Sequence, residues 1–136
     1  MPNNTQKSLL IAVDFDGTIV ENKYPKIGKE QLFAFSTLKK LQDAEHRLIL
    51  WTVRNGKQLE EAIAYCEKNG ITFYAINSTY PEEQFTEKIS RKIVADIFID
   101  DRNIGGFIGW GMVHQELFGE TPAKTPKKTI FKKWFK

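Results

Sequence analysis

The chain has 136 residues, of which 41% are hydrophobic and 27% charged, with a formal net charge of +3. That is one domain's length with an ordinary globular composition, and no apolar stretch approaches the 18 residues needed to span a membrane. A single cysteine, Cys66, excludes an internal disulfide or a cysteine metal cluster, and the polar run from Met1 to Ser8 has no signal-peptide core, so a cytoplasmic location is expected.

Ser8 to Val13 is the first predicted strand, because Leu9-Leu10-Ile11-Ala12-Val13 is an unbroken apolar run and Gly17 marks its turn. Asp14-Phe15-Asp16-Gly17-Thr18 follows at once. It holds two carboxylates at the C-terminal edge of a strand, where α/β sheets keep their ligand crevice. Like charges this close repel unless a cation or a shared proton lies between them. The segment reads either as a Mg²⁺ site with one carboxylate free to attack, or as a polar turn using Asp for local hydrogen bonds.

Ile19 to Lys29 is irregular, with Pro25 and Gly28. Glu30 to Ala44 is a helix whose Leu32, Phe35, Leu38 and Leu41 recur every three residues on one face. Arg47 to Val53 is the second strand, ending in Thr52 and then Arg54. A hydroxyl and a guanidinium just before a helix N-terminus would make a phosphate cradle. Lys57 to Asn69 is a helix that packs Cys66 and ends at Gly70. Ile71 to Ile76 is the third strand, Asn77 to Gln84 a loop, and Phe85 to Val94 a short helix carrying Lys88 and Lys92.

The fourth strand, Asp96 to Ile99, repeats the design of the first, since Asp100-Asp101-Arg102-Asn103 follows its apolar run. Were the two strands neighbours in a parallel sheet, their ends would lie about 5 Å apart. The carboxylates of Asp14, Asp16, Asp100 and Asp101 would then converge, and an all-oxygen donor set suits Mg²⁺. The glycines from Gly105 to Gly111 either cradle phosphate or permit tight turns beside the crevice, with Trp110 at its rim. Met112 to Phe118 closes the fold as a helix. This alternation predicts an α/β, Rossmann-like parallel sheet with helices on both faces over residues 1–120.

From Thr121 the composition changes. Six lysines (Lys124, Lys127, Lys128, Lys132, Lys133 and Lys136) occur with no acid, and without them the chain holds 14 basic against 17 acidic residues. Residues 121–136 read as a flexible solubilising tail. Alternatively, Ile130, Phe131, Trp134 and Phe135 form an apolar face that docks on a partner, an acidic surface or a membrane interface. The charge would also attract nucleic acid, although no basic–aromatic interleaving elsewhere supports it.

Asp-Phe-Asp-Gly-Thr, then Trp51-Thr52, then a lysine, then Ile99-Asp100-Asp101 resembles the four-motif signature of the haloacid dehalogenase superfamily over residues 7 to about 105. The resemblance implies a Mg²⁺-dependent phosphatase acting through an aspartyl-phosphate. Asp14 would be the nucleophile, and Asp16 the acid for the leaving group and then the base for water. Thr52 would hydrogen-bond the phosphoryl group, Lys92 would steady the developing charge, and Lys88 is the alternative for that lysine. Asp100 would bind Mg²⁺ with Asp101 assisting. Thr52, Arg54 and Lys88 are the candidate substrate contacts.

In this superfamily a cap domain is often inserted after the first or second motif, and 35 residues between Asp16 and Thr52 leave no room for one. The site should therefore be open. Its substrate would be a phosphorylated small molecule enclosed by a homo-oligomer, or a phosphorylated macromolecular end. Two other readings stand beside the phosphatase. A receiver-like phospho-signalling domain would place its phosphoacceptor at the end of the third strand, where Ile76-Asn77 has no Asp. A non-catalytic binding protein on the same scaffold would not require Asp14 and Asp16 to be intact.

Overall fold

Four strands form one parallel sheet: β1 (Leu10–Val13), β2 (Arg47–Leu50), β3 (Ala75–Ile76) and β4 (Ile97–Ile99), in the order β3-β2-β1-β4. The computed structural model describes residues 7–85 and 91–119. The tail from 121 to 136, its boundary with the domain, and Lys88 lie outside the described residues. The predicted parallel α/β sheet is present, and β1 is internal because its apolar run is buried on both faces. Val13 pairs with Leu50 on one side and Ile99 on the other, so the loops after β1, β2 and β4 leave the sheet side by side.

Among the described residues, three helices follow the predicted periodicity: α1 (Ala34–Asp43), α2 (Gly56–Lys68) and α3 (Trp110–Phe118). Phe35, Leu38 and Leu41 of α1, Ala62 and Cys66 of α2, and Trp110 and Val113 of α3 all join one cluster with Ile11, Val13, Leu48 and Leu50. Leu32, expected on the α1 face, precedes the helix and is 65% exposed. The opposite sheet face, Ala12, Ile49 and Ala75, is covered by Ile93 with Trp51 and Tyr74 beside it.

The helix predicted over Phe85 to Val94 is not formed at Phe85 or at residues 91–94, which are irregular. Docking Ile93 on the sheet overrides its local pattern, and Thr79 Oγ1 accepts the Val94 N–H at 3.0 Å. The strands are also shorter than predicted, with single backbone bonds such as Asp14 N–H to the Ile99 carbonyl and side-chain acceptors tying the chain beyond their ends. His46 Nδ1 accepts from Leu9 N–H, and Asp96 Oδ2 from Leu10 N–H. The chain therefore enters β1 tied to both neighbours at its first residues.

Candidate functional site

The turn after β1 is built before any ligand is considered. Phe15 is fully buried, edge-on to Tyr65, and its carbonyl accepts the N–H groups of Thr18, Ile19 and Val20. Trp110, expected at the crevice rim, is instead 1% exposed and donates its indole N–H to the Thr18 carbonyl at 2.7 Å. An indole of that size is better placed in the core, provided its N–H finds an acceptor. Trp110 thus pins the turn from below, and Thr18 Oγ1 donates to Asp14 Oδ2 at 2.9 Å.

Gly17 is the residue the turn cannot exchange. Its φ is +88°, and a Cβ there would overlap the Asp101 carboxylate. The missing side chain lets the β4 loop reach the β1 loop. As a result, one oxygen from each of Asp14, Asp100 and Asp101 lies within 4.8 Å of the others. Three hard carboxylate oxygens at that spacing fit a divalent cation with room for water and substrate oxygens.

Without a cation the cluster is electrostatically loaded. Asp14 is pushed up from 3.8 to about 7, first by burial and then by the Asp100 charge and by the hydrogen bond and charge of Asp101, against the lowering effect of the Thr18 bond. Because the folded-state value is raised, the stability this site allows is present below about pH 4 and is lost as pH rises through about 7. Metal-free protein should therefore melt lower at pH 8 than at pH 5, by roughly 5 °C. A millimolar divalent cation held by the cluster should reverse that loss at pH 8, and Asp14→Asn should largely flatten the pH dependence. Differential scanning calorimetry at the two pH values reads all three outcomes.

Asp16 does not join this cluster as predicted. Its two oxygens accept Arg54 Nε–H at 2.7 Å and Nη2–H at 2.8 Å, in a two-pronged ion pair. Arg54 is not a phosphate contact either. Its remaining three N–H groups go to the carbonyls of Pro25, Lys26 and Gln58, so all five donors are used and the side chain is buried. Its guanidinium also lies between Phe15 and Tyr24, 5.0 and 5.1 Å from the ring centroids. The expected phosphate cradle is therefore absent. Arg54 turns inward and holds Asp16, the 24–26 loop and the start of α2 together. A pairing of residues 38 apart has no signal in a single sequence.

An open crevice of about 480 Å³ lies over the acid cluster. Asp14, Asp16, Asp100 and Asp101 line it, with Thr52 and Arg102 on its walls and Asn22 and Tyr24 contributed by the 19–29 loop. Asn77 Oδ1 accepts the Thr52 backbone N–H at 2.7 Å, and Thr52 Oγ1 accepts the Arg54 backbone N–H, leaving its own hydroxyl proton to donate. Lys92 is exposed and does not line the crevice.

No residue of the glycine-rich stretch lines the crevice, and Phe107 and Ile108 border a separate apolar cavity of about 350 Å³ beside β4. Asn22, Tyr24, Asn77 and Arg102 escaped the sequence reading as site residues. Only Arg102, beside the acid pair, carried a positional hint.

A solved structure of a conserved protein from Bacteroides thetaiotaomicron shares this architecture, with a TM-score of 0.77 and 52% identity over 85% of this chain and 94% of that one. The chain belongs to that protein's family. No family model and no curated protein matches the sequence. No described helix is long and apolar enough to cross a membrane.

Proposed function

We propose that this member of the Bacteroides protein's family is a capless, Mg²⁺-dependent phosphohydrolase of the haloacid dehalogenase type, cleaving phosphate monoesters through an aspartyl-phosphate on Asp14. One observation carries the reading: Asp14, oriented by Thr18, shares an open crevice floor with Asp100 and Asp101 at cation-binding distance. Bound among these three carboxylates, Mg²⁺ would neutralise their mutual repulsion and the charge of the incoming phosphate.

The chain's own residues supply the remaining chemistry. Asp14 attacks phosphorus, the bond from phosphorus to the leaving oxygen breaks, and that oxygen takes a proton from crevice water, because Asp16 is held as the ionised partner of Arg54. Water then attacks the phosphoaspartate, Asp16 takes its proton, phosphate departs and the Asp14 carboxylate is restored. Arg54 occupies two of the roughly four acceptor positions of the Asp16 carboxylate. The others belong to a carboxylate that lines the crevice. Thr52 donates its hydroxyl to the phosphoryl group.

The receiver-like reading finds no support at β3, because Asn77 is engaged as an acceptor for Thr52. The test is a turnover screen of sugar phosphates, nucleotides and phosphorylated nucleic-acid ends. Hydrolysis with Mg²⁺, abolished by EDTA and restored by added Mg²⁺, is the expected result. Turnover that persists in EDTA, or none with any class, would reject it.

A further inference from the structure

We infer that Arg102 is the crevice cation that contacts the substrate's phosphoryl group, in the place the sequence pattern gives to Lys92 or Lys88; the inference rests on the phosphohydrolase reading. A phosphate dianion entering a crevice lined by four carboxylates needs compensating positive charge beyond one divalent ion. Among the described residues, the two arginines that the pattern places near strand ends have divided their roles. Arg54 is buried, with every N–H accepted by Asp16 and three backbone carbonyls. Arg102 lines the crevice, and its guanidinium has no hydrogen bond or ion pair with another described residue.

The turn that presents Arg102 is built for the purpose. Asp100 Oδ1 accepts the Arg102 backbone N–H at 2.9 Å, and the Asp100 carbonyl accepts Asn103 Nδ2–H at 2.7 Å. The same aspartate that reaches the cation cluster therefore fixes the backbone of the next-but-one residue. Arg102 thus lines the same crevice as Asp14, Asp100 and Asp101, the residues that would hold a cation. The flat guanidinium fork matches a phosphate with two parallel hydrogen bonds, which an ammonium cannot form. Lys92, by contrast, is exposed and lies off the crevice.

Isothermal titration of inorganic phosphate into the Mg²⁺-loaded chain tests this apart from catalysis. Arg102→Ala is expected to weaken phosphate binding about tenfold or more, with Arg102→Lys falling between it and the parent. Lys92→Ala is expected to stay within about twofold of the parent, a change well below tenfold. Because Arg102 is exposed, its variants should keep the parent melting temperature, which removes misfolding as an explanation.

Phosphate binding unchanged by Arg102→Ala would overturn the inference, as would loss of binding in Lys88→Ala but not in Arg102→Ala, or no phosphate binding by the parent. Failure of the phosphohydrolase reading is a separate result: phosphate bound through Arg102, with no turnover of any monoester.

Discussion

Asp14→Asn is expected to lower turnover of phosphate monoesters by about 10³-fold or more, because an amide of the same shape cannot attack phosphorus. The fold should survive the change. The amide oxygen can still accept the Thr18 hydroxyl, and Trp110 and the Phe15 carbonyl hold the turn independently of charge. In metal-free protein the variant should be more stable than the parent at pH 8, since one of three converging negative charges is gone. Opposite signs for activity and stability distinguish loss of the nucleophile from damage to the scaffold. Steady-state kinetics and thermal denaturation on the same preparation check both. A variant retaining more than a few per cent of parental turnover would show that another residue is the nucleophile.

Arg54→Ala is expected to cost about 3–5 kcal/mol of folding stability, because it removes one partner of a buried ion pair and leaves Asp16 uncompensated. It also leaves the carbonyls of Pro25, Lys26 and Gln58 without their donor, so the loop bearing Asn22 and Tyr24 loses its anchor. Arg54→Lys should recover only part of the loss, since one ammonium cannot make the five-donor pattern of the fork. Urea denaturation reads the size of the effect. Were Arg54 a substrate contact, as its place after β2 suggests, its removal would instead leave stability within about 1 kcal/mol and raise KM alone.

These two residues mark the boundary of what local pattern conveys. Asp14 was legible because a strand of five apolar residues, an acid and a glycine together specify a position in the fold as well as a residue type. Arg54 was misread because the same logic, a cation at a strand end before a helix, applies equally to an arginine facing the crevice and to one facing the core. The choice is made by Phe15, Tyr24 and the carbonyls of residues 25 and 26, which are remote in sequence. Trp110 shows the same effect. Its glycine neighbours suggest an exposed rim, but the Thr18 carbonyl offers a buried acceptor that makes the core the lower-energy place for the indole.

By itself the sequence determined the parallel α/β alternation and the placing of acid pairs at the ends of two strands, which follow from hydrophobic period. That those strands are neighbours, so that Asp14 meets Asp100 and Asp101, came from the sheet order. Only the tertiary structure decided which polar side chains face the crevice. It turned Asp16 toward Arg54, left Lys92 outside, and put Arg102 on the wall. The reason is one of range. Apolar periodicity is a property of neighbouring residues, whereas a buried charge is satisfied by whichever partners the packed loops bring within about 3 Å, and all of Arg54's partners but Gln58 are 28 to 38 positions away.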